Sequence, residues 1–178
     1  MPVNISVNEV LEAIETDKSK VLGISFAGKL ISTGDYIPRT DSSATEAQSP
    51  PKISFPAASA TATYVVVALD LDAPFPSFGV LGPANANGIL TSSEPFVANY
   101  VGPAPSPGSS PHRYTFFLYE QQADFDGKKH APPGGKPLPN TRRMRFDLDA
   151  WEKTTGLGKP LAVNYFKSKR LPTTLIKP

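Results

Sequence analysis

Four side chains capable of acid–base chemistry fall at the ends of two hydrophobic runs. Asp70 and Asp72 follow Tyr64-Val65-Val66-Val67-Ala68-Leu69, and His112 and Tyr114 head a run that continues through Thr115-Phe116-Phe117-Leu118-Tyr119-Glu120. Residues two apart in an extended strand share a face, so His112 and Tyr114 are expected to point one way and Arg113 the other. The same period puts Asp70 with Asp72. Neighbouring carboxylates repel unless a cation intervenes, and a protonated His112 supplies one. General acid–base work by His112 and Tyr114 with Asp70 needs no cofactor. The loop Pro107-Gly108-Ser109-Ser110 adds backbone N–H groups and hydroxyls suited to an anion. Ser109 and Ser110 are close to His112, but no strand–turn–helix elbow surrounds them, which speaks against a hydrolytic nucleophile.

A blander reading stands beside this one. An Asp-x-Asp-x-Pro at a strand end also caps a turn, and Arg113 can pair with an acid for purely architectural reasons. Asp72 and Arg113 are read that way in the first instance, with Asp72 retained as a candidate ligand contact. The functional reading requires both strand ends to open into one cavity.

The elements that must position these groups are mostly strands. Tyr64–Leu69 is β-branched and reads as a central strand that Pro74 ends, because proline cannot donate to a ladder. The segment before His112 holds Pro103, Pro105, Pro107 and Pro111 with Gly102 and Gly108, a stiff loop. Ser6-Val7-Asn8-Glu9 is a capping box ahead of Val10, Leu11 and Ile14, predicting a short amphipathic helix. Leu22, Ile24 and Phe26 alternate as a strand, Gly28 turns the chain, and Leu30-Ile31 opens the next strand. Residues 39–51 read as an exposed loop, Lys52–Phe55 as a short strand, and 75–95 as weakly patterned. Residues 122–140 read as a polar surface loop in which Lys128, Lys129 and His130 are solvated. Asp147 is an N-cap and Gly156 a C′ stop for one short helix, with Trp151 as its packing anchor. Leu161–Phe166 is the last strand. Asn4-Ile5-Ser6 matches a glycosylation sequon and is read as chance.

The bulk numbers narrow the function classes. A chain of 178 residues fits one domain, taken as 1–178. A formal charge of +2 gives no basis for nucleic acid as a partner. With no cysteine and two histidines, neither a disulfide framework nor a thiolate or His-rich metal site is expected. No run approaches the roughly 20 apolar residues of a membrane span, and no signal peptide is evident, so a cytoplasmic protein is expected. Twenty prolines without a repeat point to rigid loops on a β scaffold.

Asp70-Leu71-Asp72-Ala73-Pro74, Gly102-Pro103-Ala104-Pro105 and Gly108-Ser109-Ser110-Pro111-His112-Arg113-Tyr114 with Leu118-Tyr119-Glu120-Gln121 resemble the signature blocks of the phosphatidylethanolamine-binding protein family. Leu161-Ala162-Val163-Asn164-Tyr165-Phe166 is similar to its last core strand. Phe75-Pro76-Ser77-Phe78 and Met144–Trp151 resemble its short fungal branch. The resemblance covers roughly residues 20 to 170. It implies an all-β, mainly antiparallel β-sandwich with short peripheral helices. It also implies a pocket for a small anion (phosphate, carboxylate or a phospholipid headgroup) formed by Asp70, His112 and Tyr114, with Pro74, Gly102 and Pro103 as wall. The family carries a further pocket histidine after a Gly-Pro. Aligned on Gly82-Pro83, that position here is Ala86, either a natural loss or a substitution. The resemblance supports two functional classes. One is a cofactor-free enzyme of polyketide secondary metabolism that couples maleic-anhydride units into maleidrides. The other is a binding module that takes a headgroup, or inhibits a serine carboxypeptidase or kinase.

Overall fold

The structure is a computed structural model that describes residues 5–39, 46–73, 76–81, 84–91, 98–130, 132, 134, 136–144 and 146–171. Eight strands among them form two four-stranded sheets. The strands are β1 (Gly23–Phe26), β2 (Lys29–Leu30), β3 (Lys52–Ser54), β4 (Tyr64–Asp70), β5 (Pro76–Leu81), β6 (Ile89–Leu90), β7 (His112–Glu120) and β8 (Ala162–Ser168). The first sheet runs β2-β1-β3-β6 and the second β5-β4-β7-β8, and every strand pair is antiparallel. Four α-helices, α1 (Ile5–Thr16), α2 (Gly127–His130), α3 (Asn140–Arg143) and α4 (Leu148–Thr155), and two 3-10 turns at Lys18–Lys20 and Glu46–Gln48 complete the regular structure among the described residues.

The second sheet is covered on both faces, which explains why β4 and β7 read as continuous apolar runs rather than alternating ones. Tyr64, Val66, Phe116, Leu118 and Phe166 face Leu22, Ile24, Phe26 and Ile53 between the sheets. Val65, Val67, Phe117, Tyr119 and Val163 face Val7, Val10 and Ile14 of α1 and Leu148 of α4, with Trp151 packed against them. Trp151 makes ring contacts with Tyr119, Phe125 and Phe146, the anchor expected of it. Asp147 accepts the Ala150 N–H at 2.9 Å and Gly156 ends α4 in the left-handed region at φ 69°.

Three local expectations are corrected. The first turn of α1 is capped from outside: Asp149 accepts the backbone N–H groups of Ile5 and Ser6, and the Ser6 hydroxyl too, in place of a Ser6–Glu9 box. A carboxylate there also meets the positive end of the helix dipole, so a distant acid outcompetes the local serine. The weakly patterned stretch 75–95 contains β5 and β6, whose pairing with β4 and β3 overrides their poor propensity. The loop 122–140 contains α2, and just beyond it Arg143 on α3 is fully buried.

The outer edge of β8 is not left open. Residues 34–39 run parallel to it, with the N–H groups of Gly34, Ile37 and Arg39 donating to the carbonyls of Tyr165, Lys167 and Lys169 at 2.8, 2.8 and 3.0 Å. Such cover protects an otherwise unpaired strand edge.

Candidate functional site

β4 and β7 are hydrogen-bonded neighbours in a register that sets Asp70 opposite Tyr114. The C-terminal end of β4 therefore meets the N-terminal end of β7, as the two-run reading requires. The Asp70 Oδ2 atom lies 2.9 Å from His112 Nδ1, and both residues are buried. Asp70 Oδ1 accepts the N–H groups of Asp72 and Ala73, each at 3.0 Å, closing the turn that ends the strand. One carboxylate thus does both jobs, turn cap and histidine partner. Its grip on Nδ1 orients the ring and leaves Nε2 as the nitrogen for a ligand or a proton.

Asp72 goes elsewhere. The strand ends at Asp70, so the alternation does not carry to Asp72. Its Oδ2 accepts the Arg113 backbone N–H at 2.8 Å and Nε–H at 3.1 Å, and its Oδ1 accepts from the guanidinium at 2.8 Å. Burial opposes ionisation of Asp72, and the Arg113 hydrogen bonds outweigh it and hold the carboxyl below its usual range. The expected carboxylate pair is therefore split, each acid with its own basic partner.

Tyr114 stacks on Phe166 with ring centroids 5.5 Å apart, and its ring lies 6.4 Å from that of His112 at an interplanar angle of 20°. The Tyr114 hydroxyl oxygen accepts the Ala104 N–H at 3.1 Å, tying loop to strand. Burial, then the nearby Asp70 charge, push its ionisation well above the ordinary phenol range. A phenol held neutral at physiological pH can donate but not act as a base.

These groups line a cavity of about 280 Å³. Its described lining is Ala68, Leu69, Asp70, Ala73, Tyr100, Val101, Gly102, Ala104, Ser106, His112, Tyr114, Thr115 and Phe116. Apolar walls around a few convergent polar groups are the usual make-up of a small-ligand site. Gly102 is in that wall because nothing larger fits: a Cβ there would lie 2.8 Å from Gln48 Cα. Gln48 Nε2 in turn donates to the Pro103 carbonyl at 3.0 Å, and the hydroxyl of the half-buried Tyr100 donates to the Ala47 carbonyl at 2.9 Å. Behind the wall, Asn99 Oδ1 accepts from Arg143 and from the Leu138 N–H at 3.1 Å.

Of the residues singled out from sequence, the structure brings Asp70, His112, Tyr114 and Gly102 to the cavity. Pro103 is buried beside it without being part of its described lining. Gly108, Ser109 and Ser110 are not in the described lining either: Gly108 sits at φ 78° in a turn where the Ser109 hydroxyl donates to the Ser106 carbonyl at 2.8 Å. Ser106 is the serine of this loop that belongs to the described lining. Ala86 lies on an exposed turn closed by Asn85, away from the described lining. Pro74, and the Gly82-Pro83 pair on which position 86 was aligned, lie outside the described residues, as does Asn4 of the sequon. Ala104 and Ser106 belong to the proline-rich loop without being singled out within it, and Tyr100 has no signal in the sequence beyond adjacency to that loop.

Among the described residues no group of three or more His, Cys, Asp or Glu could hold a metal ion, and no helix is long and apolar enough to cross a membrane.

Comparison with known proteins places this geometry. Residues 27–166 match the family model described as phosphatidylethanolamine-binding protein. The chain is 34% identical over 116 residues to Protein MOTHER of FT and TFL1 homolog 2 of Oryza sativa, covering 61% of this chain and 62% of that protein. It is 39% identical over 77 residues to Phomoidride biosynthesis cluster protein N of Talaromyces stipitatus, covering 39% and 34%. To the carboxypeptidase Y inhibitor of Saccharomyces cerevisiae it is 36% identical over 67 residues, covering 38% and 30%. The matches span less than two thirds of each relative's own length. A crystal structure of carboxypeptidase Y inhibitor complexed with the cognate proteinase superposes with a TM-score of 0.65 at 21% identity, over 93% of this chain and 92% of that one.

Proposed function

The chain belongs to the phosphatidylethanolamine-binding protein family, and on that premise we propose that the His112 cavity binds a small anionic ligand and performs cofactor-free acid–base chemistry on it. The observation that carries the reading is the buried Asp70–His112 contact at 2.9 Å on the wall of a partly apolar cavity. Asp70 fixes the imidazole, His112 Nε2 takes and returns a proton, and the neutral Tyr114 phenol offers a donor to a developing oxyanion. The substrate class is a carboxylate or anhydride-derived unit of the maleic type. His112 would remove a proton from carbon next to a carbonyl, the resulting enolate carbon would add to an electron-poor alkene, and the imidazolium would return the proton to the adduct. No oxidant or metal enters that balance. Similarity to the phomoidride biosynthesis cluster protein supports a biosynthetic role for the cavity.

Similarity to the carboxypeptidase Y inhibitor supports a second reading, a binding module whose surface contacts a protease while the cavity holds a headgroup without turning it over. The protein incubated with maleic-anhydride-type monomers should give coupled product, and His112→Ala should abolish it. No turnover, together with tight binding of phosphoethanolamine, would favour the binding module.

A further inference from the structure

Arg39 stands on the same face of the second sheet as the cavity, one strand beyond β8. His112 pairs with Ser168 and Tyr114 with Phe166 across β7 and β8. On the far edge of β8 the parallel segment pairs Tyr36 with Lys167 and Arg39 with Arg170. Paired residues share a face and faces alternate along an extended chain. Phe166, Ser168 and Arg170 therefore lie on the side of His112 and Tyr114, and so do Ile37 and Arg39. Ile37 packs against the core between the sheets, which fixes that parity independently.

Arg39 is partly buried, and among the described residues no carboxylate lies within ion-pairing distance of it. Its charge is felt at the Tyr114 phenol, where it works against the larger effects of burial and Asp70. An anion entering from the cavity would meet a guanidinium that no carboxylate among the described residues already holds. From His112 to Arg39 the backbone crosses two strand spacings, about 10 Å, and advances two residues, about 7 Å. The reach of the two side chains brings their charged ends to a separation on the order of 10 Å.

We propose that Arg39 forms a second anion subsite beside the His112 cavity, so that the site takes an elongated ligand carrying two anionic groups rather than a compact monoanion. The proposal rests on the reading of the His112 cavity as an anion site and adds the length and charge of its ligand. The dissociation constants of acetate, inorganic phosphate and the straight-chain dicarboxylates from succinate to sebacate, measured by titration calorimetry, test it. In the unmodified protein, affinity should peak at a dicarboxylate spanning roughly 10 Å, about tenfold tighter than acetate. Arg39→Gln should erase that peak while leaving acetate and phosphate affinity unchanged, and Arg39→Lys should keep part of it. His112→Gln should weaken every probe. A flat dependence on length, or a peak that survives in Arg39→Gln, would overturn the subsite and leave the His112 reading standing. Failure of every probe to bind the unmodified protein would overturn both.

Discussion

Asp70 holds His112 across neighbouring strands, carboxylate oxygen to ring nitrogen at 2.9 Å, while its other oxygen caps the turn at Asp72 and Ala73. The two duties predict different outcomes for two substitutions. Asp70→Asn keeps a carbonyl oxygen for the turn and removes the charge beside the imidazole, so stability should change little while turnover falls at least tenfold. Asp70→Ala also strips the turn of its acceptor and should cost a further ~1–2 kcal/mol in denaturant unfolding. Equal stability loss in both variants would contradict this division.

Acid titration should register Asp72. Its carboxyl ionises below the usual range in the folded protein because the Arg113 bonds outweigh burial. A carboxyl depressed on folding contributes stability that is complete above about pH 4 and is lost as pH falls through its folded value. Asp72→Asn should therefore be less stable than the unmodified protein at pH 7, with the gap closing below about pH 4. A gap independent of pH would contradict the assignment.

The cavity wall should be sensitive at Gly102. An added Cβ would lie 2.8 Å from Gln48 Cα, a backbone atom that cannot rotate away. Gly102→Ala should lower stability by about 1–3 kcal/mol and weaken ligand binding together. The companion change Gln48→Gly should not rescue it fully, because it also removes the hydrogen bond to the Pro103 carbonyl. Unchanged melting temperature in Gly102→Ala would show that the wall yields freely.

How much of this was legible from the sequence depends on how local each signal is. The runs behind β4, β7 and β8 announce themselves through β-branched and aromatic residues, and α4 through its Asp147 cap and Gly156 stop. The chemistry at Asp70 and His112 was legible as residue types at two strand ends, and the antiparallel register of β4 and β7 supplies their contact. Contacts between residues far apart left no such trace. Asp149 caps α1 from 144 positions away, Arg143 reaches Asn99, and Gln48 sits under Gly102. The alternation that grouped Asp72 with Asp70 failed because the strand stops at Asp70, two residues short of Asp72.

Arg143 offers a check on that non-local layer. It is fully buried, and its Nε–H donates to the Leu138 carbonyl at 3.0 Å while another guanidinium nitrogen donates to Asn99. Arg143→Met preserves the stem and removes the donors, and should destabilise by about 2 kcal/mol by taking the guanidinium from the Leu138 carbonyl and leaving Asn99 Oδ1 with the Leu138 N–H as its remaining donor. A loss below ~0.5 kcal/mol would mean that water replaces the guanidinium there.

The most direct test is to add maleate to isotopically labelled protein and follow the backbone amide resonances together with the His112 ring nitrogens. Saturable shifts should gather at Asp70, Gly102, Ala104, His112 and Tyr114, with His112 Nε2 responding, and should vanish in His112→Ala. Shifts that gather elsewhere, or that persist unchanged in His112→Ala, would contradict an anion site built on the Asp70–His112 contact.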